Sequence, residues 1–428
     1  MGVILFLLII GFTVDCITYP SLKRAGNEAL EDLLSLRIDK PGNAWDYYSI
    51  AIEKSGNIKP DKMRIGYIRG KIEITPEIIK AIEDNIDAIK EIKEGARQDF
   101  CSVSFNYKKG LSVDIPDFTT LKRITEILCV NSLRELEEAN TEEALNDIVT
   151  VATVGKHLAS VAPTVLDQMV GGVLISQALS VLRIGVSSSV FNKNELKKVA
   201  QFLDEMEKDW PPLYQALDTQ TKLLKISIAN ITLSRTLEIV LLPHHQKKPS
   251  IFLKLLVRLV YWRYFFSPRL AFLKSFEFFD TIISEMQEIE ITSSKVIKKG
   301  EIHKIFPDIF QKRINENVRK NPIPLIFIPK FSNKGRLVNI TKMRMLRLSS
   351  LISYYRLENG FFPPTLEEFE YDIVIDPNTG EMFVYTNYED SVRIFSPGLN
   401  ISNPGDDITI LLTKMGIKKY LEKRRKIK

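Results

Sequence analysis

Local catalytic signatures are missing from this sequence. There is no HExxH or CxxC for a metal, no GxSxG for a serine nucleophile, and neither GxxxxGK[ST] nor GxGxxG for a phosphate or a dinucleotide. Histidine is scarce: His157, His244, His245 and His303 show no metal-site spacing, and the His244-His245 pair reads as a solvated loop between Pro243 and Pro249. Cysteine is scarcer. Cys16, Cys101 and Cys129 cannot build a disulfide framework, and one Cys101–Cys129 bridge or two buried thiols both stay open. Strong charge is absent too. The formal net charge is +6 over 428 residues, and part of it sits in Lys418-Lys419 and Lys423-Arg424-Arg425-Lys426. The body is therefore not built to bind a polyanion, and no nucleic-acid partner is expected. No internal repeat or low-complexity tract occurs.

What is present is an ordinary folding composition, 45% hydrophobic and 26% charged, in a chain long enough for two or three domains. Val3 to Val14 is an uncharged apolar run, shorter than the roughly 20 residues of a full span. No basic segment precedes it, no A-x-A site follows, and Asp15 occupies the place a lipoprotein would give to a small residue before Cys16. Residues 1–20 are read as an uncleaved hydrophobic anchor, set against an atypical signal peptide and a buried helix, which makes the membrane the first expected partner. Lys23 and Arg24 taken alone would keep the body in the cytoplasm, but so short an N-terminal flank gives that rule little to compare.

Residues 21–330 read as a helical body. Ala25 to Leu36 has helical spacing. Asn43 can cap a helix through Ile52, and Thr75-Pro76 opens another, with Ile78, Ile79, Ile82, Ile86 and Ile89 on one stripe. Phe100 to Tyr107 reads as extended, and Asp117 to Leu128 as helical. From Thr141 to about Leu182 charges are few (Asp147, Lys156, Asp167), and Pro163 with Gly171-Gly172 argues for buried core helices over a membrane hairpin. Asn194 is the expected cap of an amphipathic helix to Lys208. Trp210-Pro211-Pro212 stops it, and the next helix runs to about Leu242. Ile251 to Phe266 is an apolar helix edged by Lys254, Arg258 and Arg263, read as core with snorkelling cations. Phe272, Phe276 and Phe279 belong to the same core. Pro322 to Pro329 marks a boundary.

Beyond it the pattern changes. Asn339 to Leu357 is a helix with Met345, Leu348, Leu351, Ile352 and Tyr355 on one side and Arg344, Arg347 and Arg356 elsewhere; Asn359-Gly360 ends it. Thr365 to Glu368 carries a second helix start, Asp376 to Gly380 is a turn, and 381–386 and 391–395 are paired strands. The ordered set LENGFFPPTLEEF, DPNTGEMFVY, VRIFSPGLN and GDDI, from about Ile340 to Ile410, resembles the globular domain of type II secretion major pseudopilins. The whole chain, with its Asn43-Ala44-Trp45-Asp46-Tyr47-Tyr48 segment, is similar to envelope proteins of planctomycete-like bacteria, a resemblance that implies location and architecture and no activity. Here the module begins near Ile340 rather than directly behind the hydrophobic N-terminus, and no prepilin cleavage site precedes Val3.

The expectation is a mainly α protein: an N-terminal anchor helix, a multi-helix body, a small α+β pseudopilin-like module (a long helix plus an antiparallel sheet) at 331–413, and a basic tail at 414–428. The resemblance implies an extracytoplasmic or periplasmic body, a protein partner, and calcium at Asp406, Asp407 and Asn400, a hard-oxygen set of the right type. The function expected is that of a non-enzymatic interaction or secretion-related scaffold. Set against it are an enzyme with a site assembled from scattered residues, and a cytoplasmic or membrane-surface adaptor.

Overall fold

The computed structural model describes residues 2–36, 40–56, 61–68, 72–230, 273, 276–288, 334–388, 390–398 and 407–426. His244-His245, His303, the 251–266 helix, Phe272, the 322–329 boundary, Asn400 and Asp406 lie outside them.

The protein is mostly helical, with one small sheet. The N-terminal run and the following amphipathic stretch form a single helix, α1 (Gly2–Ser35), with Pro20 inside it; a helix of that length reaches about 50 Å. Its second half docks on α10 (Leu213–Ala229) through Leu22, Ala29 and Leu33. Gly26 meets Ala229 so closely that a Cβ there would lie 2.4 Å from the alanine methyl. Phe276 and Phe279, on a helix over 276–288 (α11), are buried in this contact.

Asn43 caps α2 (Ala44–Glu53) through the Trp45 amide, and α3 spans Asp61–Ile68. Thr75-Pro76 opens α4 (Pro76–Glu83), but the isoleucine stripe is not one helix. Asn85, fully buried, interrupts it: its Oδ1 accepts from the Gly56 amide at 2.9 Å and its Nδ2 donates to the Ala81 carbonyl. A separate helix, α5 (Ile86–Ala96), follows, which leaves Ile86 exposed while Ile78, Ile82 and Ile89 are buried. Residues 101–106 form no strand, and a 3-10 turn spans Tyr107–Ser112.

The apolar centre is α6 (Phe118–Glu137), α7 (Thr141–Val161) and α8 (Val165–Ser187). Side chains such as Leu128, Leu133, Val151, Leu174 and Leu182 are fully buried, each contributing about 1.5–3 kcal/mol. Among the described residues α8 is one helix long and apolar enough to cross a membrane, yet 56% of that window is buried inside the body. Its outer side shows Leu166, Met169 and Val173. The helix α9 (Lys193–Lys208) begins two residues earlier than the sequence reading has it, because the capping box is Asn192 with Glu195 and not Asn194.

The C-terminal elements are α12 (Lys334–Asn359), a single turn α13 (Tyr371–Val374), and strands β1 (Val384–Asn387), β2 (Ser391–Ser396) and β3 (Ile408–Thr413) in antiparallel order β1-β2-β3. Gly360 stops α12 at φ +84°, its amide on the Arg356 carbonyl at 2.8 Å. The helix start expected at Thr365 is a turn, and helix appears instead at Tyr371. The inner sheet face (Val392, Ile394, Ile410, Leu412) packs under α12, whose Met345, Leu348 and Ile352 are buried. These residues share one core with α6, α7, α8 and α9. The basic tail is a helix, α14 (Ile417–Lys426): Ile417 and Leu421 enter that core, and Arg425 reaches Glu73 and Glu137.

The tightest helix crossing is α7 on α8. A Cβ at Gly171 would lie 2.4 Å from the Gly155 carbonyl oxygen and 2.7 Å from the Ala159 amide, both backbone. Gly171→Ala is expected to destabilise the protein by about 1–3 kcal/mol. Gly172→Ala, whose nearest neighbour is Asn339 Nδ2 at 3.8 Å, should be neutral or slightly stabilising because it replaces a mid-helix glycine. Thermal melts of the two variants check this; equal melting temperatures would show that the helices do not cross this closely.

Candidate functional site

Strand residues alternate between the two faces of a sheet. In the segment from Met382 to Tyr388, Phe383 points inward and is buried, and Tyr385 donates its hydroxyl to the Pro363 carbonyl at 2.5 Å. Met382, Val384 and Tyr388 take the other parity and are about half exposed. On β2 the outward residues are Arg393 and Phe395, paired across the sheet with Thr386 and Val384, and the guanidinium lies 5.1 Å from the Phe395 ring centroid. The inner face is apolar, and the outer face is mixed: Met382, Val384, Tyr388 and Phe395 share it with Thr386, Arg393 and Thr409. The outer face lies open over β1 and β2, and beside β3 it meets α14. Among the described residues β1 pairs with β2 alone, so it is an edge strand. Phe361 and Tyr371 add exposed aromatic surface to the same module, Phe361 standing edge-on to Tyr355 at 6.0 Å.

Buried polar bonds set the position of this face. Asp376 Oδ1 accepts from the Asn378 amide at 2.8 Å, Asn378 Nδ2 donates to Ser396 Oγ at 3.1 Å, and the Gly380 amide closes the turn on the Asp376 carbonyl at 2.8 Å. All three side chains are buried. Burial pushes the Asp376 carboxyl up, against the lowering effect of its hydrogen bonds. Arg344 ties the turn to the body: its Nη1 donates to the Ile375 carbonyl at 3.2 Å, while Nε and Nη2 hold Glu207 of α9. Arg344 is 4% exposed, so the arginines of α12 are not all on a solvated face; Arg347 pairs with Asp204 at 2.7 Å.

Of the calcium ligands expected from the resemblance, Asp407 is exposed just before β3, and Asp406 and Asn400 lie outside the described residues. Asp407 alone does not fit a cation that takes six to eight oxygens. Among the described residues no group of three or more His, Cys, Asp or Glu is placed to hold a metal ion.

Two polar clusters reach into the body. Tyr48 Oη lies 2.8 Å from His157 Nδ1. Lys93 Nζ sits 2.5 Å from both Asp147 Oδ1 and Glu143 Oε1, and Asn131 donates to Asp147 Oδ2 at 2.8 Å. Cys101 and Cys129 are free thiols; burial pushes the Cys101 thiol up to about 12, and that of Cys129 up as well. The signal for the outer sheet face was present in the sequence: Met382 and Val384 interleave with Phe383 and Tyr385, whereas a one-sided sheet alternates apolar with polar. With the geometry in place, comparison with known proteins adds nothing further: no family model, no curated protein and no solved structure matches this chain.

His157 provides a pH test of the interior. Burial, and then the charge of Lys156, lower its pKa to about 4, while the unfolded imidazole titrates near 6.5. Below 6.5 the unfolded chain binds more protons than the folded one, so stability falls on acidification and levels off below pH 4. The loss is at most about 3 kcal/mol. Wild type and His157→Gln compared by denaturant melts from pH 7 to 4.5 should diverge, with the wild type losing more. Parallel curves would mean that His157 protonates freely in the fold.

Proposed function

We propose that this protein is a non-enzymatic, membrane-anchored envelope component that recruits a protein partner through the outer face and free edge of its C-terminal sheet. The observation that carries the reading is the apolar outer surface of β1 and β2, formed by Met382, Val384, Tyr388 and Phe395. Monomeric soluble proteins seldom leave such patches open unless something binds there. An unpaired strand edge next to it offers main-chain hydrogen bonds to an extended segment of the partner, the mode of strand addition.

The resemblance to the pseudopilin globular domain supports the same reading, since a long helix over a three-stranded antiparallel sheet is the arrangement it implies. The anchor rests on the uncharged apolar run from Val3 to Val14 in the sequence. An extracytoplasmic body follows from the resemblance alone. Calcium at Asp406, Asp407 and Asn400 belongs to this proposal as a stabiliser of the loop before β3.

Two experiments test it. A photo-crosslinking side chain at Val384 or Tyr388, in cells that make the full chain, should give one discrete adduct with a second protein, and the same probe at the exposed Glu83 should give none. Equal labelling from all three positions, or from none, would remove the docking face. For the metal, Ca²⁺ should raise the melting temperature of the full chain, EDTA should reverse the rise, and Asp406→Ala should abolish it. An unchanged melt takes calcium out of the reading.

A further inference from the structure

The open edge of the sheet can be placed to the residue. In an antiparallel ladder alternate residues turn their peptide groups to the same side. The Tyr388 amide donates to the Ser391 carbonyl, toward β2, at 2.8 Å. Residues of the other parity turn away from β2: the Phe383 amide donates to the Val374 carbonyl, and the Glu381 carbonyl accepts from the Asp376 amide, both at 2.8 Å. Tyr385 and Asn387 share that parity and lie past the short bridge between Ile375 and Met382. Their peptide groups are the free part of the edge, since among the described residues no further strand lies beyond β1.

This edge sits in the acidic part of the module. From Phe361 to Val392 the chain holds eight aspartates and glutamates and no lysine or arginine, so any compensating cation has to come from elsewhere. The segment runs beside β1: the Pro363 carbonyl accepts from Tyr385 Oη and Asn387 Nδ2, and Val374 takes the Phe383 amide. Glu367, Glu368, Glu370, Asp372 and Glu381 are exposed, and among the described residues none of them has an ion-pair partner. Asp390, at the turn between β1 and β2, is held by Lys414 at 2.8 Å. Cations collect at the opposite edge, where Lys414 follows β3 and Lys418, Lys419 and Lys423 stand exposed on α14. On the outer face Arg393 lies one strand in from the open edge, against the Phe395 ring. The sheet is thus acidic at the strand that is open and basic at the strand beside α14.

A second copy of this chain paired through β1 would lay one acidic rim against another, and like charges opposed across an interface weaken it. A cationic segment meets opposite charge there, which favours both encounter and register. We infer that the partner segment added at this edge is basic and extended, with apolar side chains over Met382 and Val384 and lysine or arginine against Glu370, Asp372 and Glu381. The inference rests on the docking reading and adds to it the chemistry of the partner.

The test titrates the full chain, in a non-ionic detergent, with three fluorescent peptides. One has alternating valine and threonine with lysines at both ends. The second has the same core with glutamates at the ends. The third is the lysine peptide with a central proline, which cannot donate to a ladder. The lysine peptide should bind at least about tenfold more tightly than either of the others, and its affinity should fall as salt is raised. The combined substitution Glu370→Gln, Asp372→Asn and Glu381→Gln changes exposed side chains, so it should leave the melt unchanged while weakening the lysine peptide about tenfold. Glu83→Gln should bind as the wild type does. If the lysine and glutamate peptides bind equally and the proline peptide does not, or if the triple variant binds undiminished, the basic partner is overturned and the docking edge stands. Binding that proline does not weaken, or no binding of any peptide, would overturn both.

Discussion

The guanidinium of Arg344 sits where three parts of the molecule meet. It grips Glu207 on α9, reaches the Ile375 carbonyl at the turn of the C-terminal module, and belongs to α12, the helix that covers the sheet. A buried ion pair is weak evidence of net stability, because desolvating both charges opposes their attraction. Its effect lies in what happens when the geometry is wrong. An unpaired charge at this depth costs about 3–5 kcal/mol, so α12 cannot slide along α9 by a turn, nor the turn at Asp376 lift away, without exposing or orphaning one of the partners. The sheet, the turn and α9 are held in one register by a residue that the helical pattern alone would place in water.

The same logic governs the interior of the body. A stack of helices as apolar as α6, α7 and α8 could pack in several rotations, since leucine against leucine selects weakly. Paired polar groups select strongly. Asp147 must find Lys93 and Asn131, and Tyr48 must find His157. Glu126, fully buried, accepts from Gln177 at 3.0 Å and lies 3.2 Å from Lys122. Burial raises the Asp147 carboxyl against the pull of Lys93, so a mismatch there would leave a carboxyl that neither ionises comfortably nor bonds. The Gly155–Gly171 contact adds a steric condition, fixing where along their length α7 and α8 cross.

Much of this was legible in the sequence where the signal is local. Asn43 caps α2 through the Trp45 amide, Pro76 opens α4 at its first position, and Gly360 ends α12 because only glycine takes its positive φ cheaply. The sparse charges from Thr141 to Leu182 go with two helices, α7 and α8, that bury many of their side chains. What was not legible depends on a second surface. The isoleucine stripe from Ile78 to Ile89 has helical spacing throughout, and only Gly56, far away in the chain, explains why Asn85 breaks it. The last residues read as a solvated basic tail because their charges dominate the composition, yet Ile417 and Leu421 sit four apart and enter the core. Arg344 carries no sign in the sequence that its face, too, would be covered.

Total hydrophobicity of an element and the apolar surface it leaves open are different quantities in this chain. Among the described residues α8 has the length and composition of a span, and 56% of that window is buried inside the body. The sheet is far smaller and needs more. Its inner face is apolar and covered by α12; its outer face carries apolar residues among polar ones, and α14 comes up against it beside β3. Over β1 and β2 the outer face is left with Met382, Val384, Phe395 and Tyr388 and an edge strand of four residues. A strand that short limits accidental pairing with other chains, yet it keeps enough main-chain polarity to align one chosen segment. That apolar surface, left without a cover among the described residues, is the physical basis of the proposed docking face.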